Sequence, residues 1–282
     1  MREHAGEFSL RAMCQAFGVA RSGYYHWQRQ GCRTQQERAD SVLTEQIRAI
    51  FEQSGQTYGS PRVYAELKAQ GVCASRRRVA RLMRSAGLDA TPVRRRAHTT
   101  QAGERQPSVT NLLRRDFTAD APNRKWAVDI TGVWTDEGWL YLAGVLDLFS
   151  RRLVGWAMAD HMPDELTQEA LKMAILQRRP PDQLLHHADQ GSQYTSDEYQ
   201  ALLEAHHMLA SFSDVGCCYD NAPMESFWGT LKTELVYRRH FYTRAEAKNA
   251  IFAYVEGWYN RLRRHSMLGY LSPEQFEQQF QA

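Results

Sequence analysis

The sequence predicts an α/β protein in which a mixed sheet flanked by helices is preceded by small all-α helix-turn-helix units. Three observations predict it. At 282 residues the chain has room for one catalytic domain with a sizeable core plus a smaller appendage. Its charge is divided: residues 1–110 hold 18 Lys/Arg against 9 Asp/Glu, and the remainder 17 against 23, although the whole carries only +3. Finally, hydrophobic residues fall at helical spacing in the basic front part and in alternating, strand-like runs beyond it.

A basic front of this kind is a common footprint of polyanion binding, with a merely solvated Arg-rich surface as the plainer reading. The five cysteines (Cys14, Cys32, Cys73, Cys217, Cys218) are odd in number and form no CxxC pair. Neither a disulfide framework nor a structural zinc site is suggested by them. No run approaches ~18 apolar residues, and the start of the chain lacks an apolar secretory segment. A cytoplasmic protein that makes no use of a membrane is expected.

Residues 1–35 read as a first helix-turn-helix segment. Met13, Cys14 and Phe17 fall on one face, Gly18 breaks the helix, and a second helix starts at Arg21, a candidate DNA contact. Residues 36–88 form a second, better marked unit. An amphipathic helix over 41–52 is followed by Ser60 as a cap and Pro61 at the first helical position, then by a helix to about residue 70. Ser75 caps a third helix, which Gly87 stops. There Val79, Leu82, Met83 and Ala86 make an apolar stripe, while Arg76, Arg77, Arg78, Arg81 and Arg84 occupy the rest of the circumference. A recognition helix needs such a division, one side for partner helices and one for phosphates and guanine edges. Residues 89–115, rich in Arg, Thr, Gln and Pro without apolar periodicity, read as a basic linker.

Residues 116–282 carry the sheet. Strands are expected at 125–134, 139–148 and 152–159, with the turn Thr135-Asp136-Glu137-Gly138 joining the first two. A helix over 163–177, a strand at 183–188, a helix over 196–206 and a strand at 208–212 follow. Helices then begin near Ala222 and Thr243. Three strands, helix, strand, helix, strand, helix is the ribonuclease-H-like order.

Three carboxylates stand out in this frame. Alternation along the first strand sets Trp126, Val128 and Ile130 against Ala127, Asp129 and Thr131. Strand interiors disfavour Asp, so Asp129 either faces solvent or performs a task that offsets the lost propensity. Asp189 follows a short strand where the chain leaves the sheet, a usual place for ligands. Glu225 opens a helix that Asn221 can cap and whose buried stripe is Met224, Phe227, Leu231 and Leu235. Taken alone, Glu225 is simply a favourable charge at a helix N-terminus. Together the three are hard oxygen ligands of the kind Mg²⁺ prefers, able to bridge two ions for in-line displacement at phosphorus. Lys232, on the helical face of Glu225, is placed to grip a phosphate. Arg263 and Arg264, near the C-terminus, are candidate secondary DNA contacts, and the aromatics beside them read as core packing.

The 35 residues between Asp189 and Glu225, with a lysine seven beyond, resemble the DDE core shared by retroviral integrases and many bacterial transposases. The segments DFTADAPNRKW (116–126), DIT (129–131), HHADQGSQY (186–194), DNAPMESFWGTLK (220–232) and YNRLRRHS (259–266) resemble more closely the OrfB-type transposases of two-frame insertion sequences. CQAFGVARSGYY (14–25) and YGSPRVY (58–64) match the same group, so the resemblance covers nearly the whole chain. It implies a bacterial, nucleoid-associated transposase in which Asp129, Asp189 and Glu225 bind two Mg²⁺ or Mn²⁺ ions, cleave at the element ends and join the 3′-hydroxyl to target DNA. It also implies a first-frame partner joined by frameshifting and a homo-oligomer on the DNA. Two departures stand out. Ala188 occupies a position where the group often has Ser, and the His/Cys zinc module of retroviral integrases is absent, which leaves His186, His187, Cys217 and Cys218 structural. The loop 213–220 is expected to be mobile without DNA, holding Glu225 away from the two aspartates. The rivals are a ribonuclease-H-fold endonuclease, to which the basic front units would be superfluous, and a DNA-binding regulator with an idle catalytic domain, to which the trio would be.

Overall fold

The computed structural model describes residues 1, 4, 6–29, 35–90, 110–214 and 217–281. They form two compact units, Met1–Ala90 and Thr91–Ala282.

The first unit is all helical: α1 (Leu10–Ala16), α2 (Arg21–Arg29), α3 (Gln35–Gln53), α4 (Ser60–Ala69) and α5 (Arg76–Ser85). Met13 and Cys14 are buried as expected, but Phe17 is 67% exposed. It is the C-cap of α1, where helical periodicity no longer sets direction. Leu43, Ile47, Ile50, Val63, Leu67, Val79, Leu82 and Met83 bury the facing sides of α3, α4 and α5. The Ser75 hydroxyl accepts the Arg78 N–H at 3.2 Å, and Gly87 adopts φ +64° just past the helix end. Ser60 does not cap; it is the first residue of α4, with Gly59 as an N-cap that has no side chain to contribute.

The second unit is built on a five-stranded sheet of order β3-β2-β1-β4-β5: β1 (Lys125–Thr135), β2 (Gly138–Asp147), β3 (Leu153–Ala159), β4 (Leu185–Ala188) and β5 (Leu209–Phe212). β1, β2 and β3 are antiparallel neighbours, and β4 and β5 run parallel to β1. Helices α6 (Asp164–Arg178), α7 (Ser192–Thr195) and α8 (Asp197–Ala205) connect the later strands, followed by α9 (Ala222–Glu234), α10 (Arg244–Phe252), a wide π-helical segment Ala253–Tyr259, and α11 (Pro273–Gln281). Alternation along β1 holds. Trp126 and Val128 join the core beneath α6 and α8, whereas Ala127 and Val133 join the one beneath α9 and α10.

Part of the presumed linker belongs to this unit. Leu113 is buried, and the backbone N–H groups of Leu112 and Leu113 donate to the Ser211 hydroxyl at 3.0 and 3.1 Å. The remainder of that stretch, 91–109, lies outside the described residues. At the other end of the chain, the buried Glu277 carboxylate ties α11 to α6 through Arg178 (2.7 Å) and to the β3 entrance through Ser150 and Arg152. No described helix is long and apolar enough to cross a membrane.

Candidate active site

β1 and β4 pair in parallel with Ala127 opposite His187. Two residues on, β1 carries Asp129 and the chain just leaving β4 carries Asp189; extending the register by two residues sets them level and on one face, and the Asp189 charge acts on Asp129. β4 ends at Ala188, so Asp189 sits where the chain turns away, with Oδ1 accepting the Gly191 N–H at 3.0 Å.

Glu225 stands exposed in the first turn of α9. The helix start is tied to the sheet by Asn221, which caps nothing. Its Nδ2 instead donates to the Val128 carbonyl at 2.9 Å, one residue before Asp129. One turn on, the buried Trp228 donates from Nε1 to Asp129 Oδ2 at 3.0 Å, while the Ile130 N–H donates to Oδ1 at 2.8 Å. Room for that indole comes from Gly144, the cross-strand partner of Asp129. A Cβ at 144 would stand 2.9 Å from the Trp228 ring. The sequence reading misses Trp228 and Asn221 as site residues. The one available signal is that an indole inside the apolar stripe of α9 needs an acceptor for its N–H.

Burial, the nearby Asp189 charge and, less strongly, Glu225 push the Asp129 carboxyl up to about 7, against the pull of the Ile130 and Trp228 hydrogen bonds. Burial raises Asp189 as well. Among the described residues no group of three His, Cys, Asp or Glu side chains stands close enough to hold a metal ion, so the trio is gathered but open. The donor set nonetheless fits a hard divalent cation. All its atoms are carboxylate oxygens, and the charged groups acting most on Asp129 are the other two carboxylates, a repulsion that a cation would reverse.

The loop before α9 is anchored at both ends. The buried Asp220 carboxylate accepts from Arg115 (2.7 Å), Asn111 (2.9 Å) and the Asp214 N–H (3.0 Å). Val215 and Gly216, at the centre of the loop read as mobile, lie outside the described residues. His186 and His187 are buried and structural. His186 pairs with the Tyr199 hydroxyl at 2.9 Å, and His187 lies between the Ser211 and Ser213 hydroxyls. Burial lowers them to about 3 and about 4, so both are neutral.

The basic candidates divide. Lys232, two turns past Glu225, lines a groove with Trp134 and Trp139. Arg77, Arg84 and Arg21 are exposed, and Arg76 lies 5.3 Å over the Tyr64 ring. Arg78 and Arg81 both reach back to Asp40 on α3, at 2.7 and 2.6 Å, so part of the basic stripe braces its own bundle. Arg263 and Arg264 are corrections. They are 4% and 8% exposed; Arg263 is locked on Glu234 at 2.7 Å and Arg264 donates to the Tyr270 carbonyl, which leaves neither available to a DNA phosphate. Tyr259 beside them is core, as its neighbours in sequence imply.

Comparison with known proteins adds three findings. Residues 119–218 and 225–280 match models described as integrase core domains, and residues 37–97 match an HTH-like domain. The chain is 45% identical over 282 residues to the transposase InsF for insertion sequence IS3A of Escherichia coli (strain K12), covering 98% of this chain and 96% of that one. It is 43% identical over 268 residues to the insertion element IS600 uncharacterized 31 kDa protein of Shigella sonnei, covering 95% and 98%. Among solved structures, the HTLV-2 integrase catalytic core domain in complex with magnesium aligns at TM-score 0.43 and 19% identity, over 56% of this chain and 98% of that one.

Proposed function

Because the chain belongs to the IS3 family of insertion-sequence transposases, we propose that Asp129, Asp189 and Glu225 are its catalytic, metal-holding carboxylates in cleavage and strand transfer at the element ends. The family makes it a polynucleotidyl transferase with DNA as its partner. The observation that carries the assignment is the β1/β4 register, which sets Asp129 level with Asp189 while the Glu225 charge reaches Asp129 from α9.

Two divalent ions, Mg²⁺ or Mn²⁺, would supply activation of the attacking oxygen and stabilisation of the leaving one. The chain's own residues prepare the rest. Ile130 and Trp228 fix the direction of the Asp129 carboxylate, Asn221 sets where α9 meets the sheet, and Lys232 meets a phosphate oxygen. In joining, the 3′-hydroxyl oxygen forms the new bond to a target phosphorus as the in-line P–O bond breaks and its electron pair leaves with the departing 3′ oxygen. Asp129, Asp189 and Glu225 would hold the ions, and Glu225, exposed in the first turn of α9, would need to approach the two aspartates to do so. The exposed Arg77 and Arg84 of α5, with Arg76 and Arg21, contact DNA phosphates, and a first-frame partner fused by frameshifting completes a homo-oligomeric complex on the nucleoid.

The test is a supercoiled plasmid bearing two element ends, incubated with the frame-fused protein and Mg²⁺. Joined products that disappear in Glu225→Gln, with DNA binding retained, are expected. Nicking without joining would favour an endonuclease, and binding without either a regulator.

A further inference from the structure

We propose that the groove beside Lys232 receives an unpaired nucleotide of the DNA strand being processed. This rests on the transposase reading of the neighbouring carboxylates and adds a ligand site that this reading does not require. The groove encloses about 520 Å³ and is lined by Trp134, Trp139, Lys232, Tyr237, Arg239 and His240, among others. Its floor is the part of β1 beyond the residues that β4 pairs, since that pairing stops at Ala127.

Three large rings are left in solvent here. Trp134 is 56% exposed, Trp139 47% and Tyr237 46%. Trp134 and Trp139 face each other across the hairpin with centroids 5.1 Å apart at 79°, and Trp139 stacks in turn on Tyr141 at 6.4 Å and 28°. Trp139 is seated rather than loose. A Cβ at Gly132 would stand 2.9 Å from its ring, so the indole lies directly on the β1 backbone. Fixed, exposed aromatic faces in one groove are costly to maintain in water and characteristic of a binding site.

Charge selects the occupant. Lys232 and Arg239 supply cations, and His240 sits beside them with Nε2 on Asp136 Oδ2 at 3.0 Å. Aromatic faces interleaved with cations suit a single nucleic-acid strand, whose bases stack while its phosphates are neutralised. Duplex DNA would offer only the phosphates, because its base faces are already stacked. Position agrees. Lys232 is seven residues after Glu225 on α9, a rise of about 10 Å, while Trp134 lies five residues beyond Asp129 on β1, about 17 Å, with its side chain on the other face of that strand. The groove is therefore reached around the open edge of β1, a few nucleotides from the carboxylates, where unpaired bases of the processed strand would be taken up.

The experiment uses the full chain in EDTA with a duplex whose 3′ end carries one unpaired 2-aminopurine, set against a blunt duplex with the same base paired inside. Stacking on an indole quenches this base. Wild-type protein should quench the unpaired probe. Trp134→Ala and Trp139→Ala should weaken that binding about tenfold while binding the blunt duplex as wild type does, and Trp134→Phe should restore it. Circular dichroism melts confirm that each variant is folded. Equal quenching by wild type and both alanine variants, or equal losses on the two probes, overturns the proposal. So does a change in oligomeric state in the alanine variants, which would make the groove a protein interface. Glu225→Gln separates the two claims. If joining is lost in Glu225→Gln but the tryptophan variants quench normally, only the groove assignment fails; if joining survives, the reading of the trio fails.

Discussion

Both oxygens of the Asp129 carboxylate are engaged from the protein side, one by a backbone N–H of its own strand and the other by an indole 99 residues away. That second bond depends on Gly144, because any side chain there would push the Trp228 ring aside. Trp228→Phe keeps an aromatic ring, though a smaller one, and removes the donor. A hydrogen bond to a charged group contributes about 1.5–3 kcal/mol, so single-turnover joining should slow roughly ten- to a hundredfold with the fold intact. Gly144→Ala keeps the donor and moves it, and should slow joining while also lowering stability by about 1–3 kcal/mol, as overpacking does. Wild-type joining in Trp228→Phe would reduce the bond to a packing detail. Asp129 stands out in sequence because an Asp is wrong for mid-strand, whereas Asp189 in a turn and Glu225 at a helix start are ordinary for their places and stand out only through their spacing and the resemblance that spacing carries. Trp228 does not stand out, since an apolar stripe reads the same whether or not its indole has found an acceptor.

The strands and the helices α6, α8, α9 and α10 are legible to within a residue or two, but α3 begins six residues before the expected start, and α7, the π-helical segment and α11 are not legible in the pattern. At Phe17, Ser60 and Asn221 local rules of face or cap give way to a neighbour: the end of α1, the earlier start set by Gly59, and the Val128 carbonyl. Helix α5 shows the same limit for charge. Its arginines look alike in sequence, yet Arg78 and Arg81 spend their guanidinium groups on Asp40, while Arg77 and Arg84 face solvent. Arg77→Ala with Arg84→Ala should therefore weaken DNA binding and flatten its log–log salt dependence by about 1.8, at ~0.9 per phosphate contact. Arg78→Ala should chiefly lower the melting temperature. An unchanged salt slope in the double variant would take α5 off the DNA. Arg263 and Arg264 show the converse: a cluster of charges that looks like surface in sequence is core, because Glu234 pairs Arg263 and the Tyr270 carbonyl accepts from Arg264.

At the scale of the molecule, a basic helical unit and a mixed-sheet unit follow from charge and periodicity alone, but the stability cost of the site does not. Asp129 keeps its proton in the native state up to about pH 7, whereas an ordinary carboxyl such as it becomes on unfolding loses it near 3.8. The native protein thus binds more protons between these values, and this group's contribution to stability falls as pH rises from about 4 to about 7. Buried neutral His186 and His187 act in the opposite sense, withdrawing stability as pH falls from 6.5 toward about 3 and about 4 respectively. In EDTA, Asp129→Asn should melt higher than wild type at pH 8 and nearly level with it at pH 4. Parallel pH responses in the two proteins would mean that the charges are not held together as described. The β1/β4 register has an evolutionary corollary. Side chains alternate faces along a strand, so one residue gained or lost within the four of β4 would turn Asp189 to the far side of the sheet. The exposed stretch 181–183 just before β4 is under no such constraint. Relatives should therefore differ freely in the number of residues separating their two aspartates, while the distance from the start of β4 to the second one stays fixed.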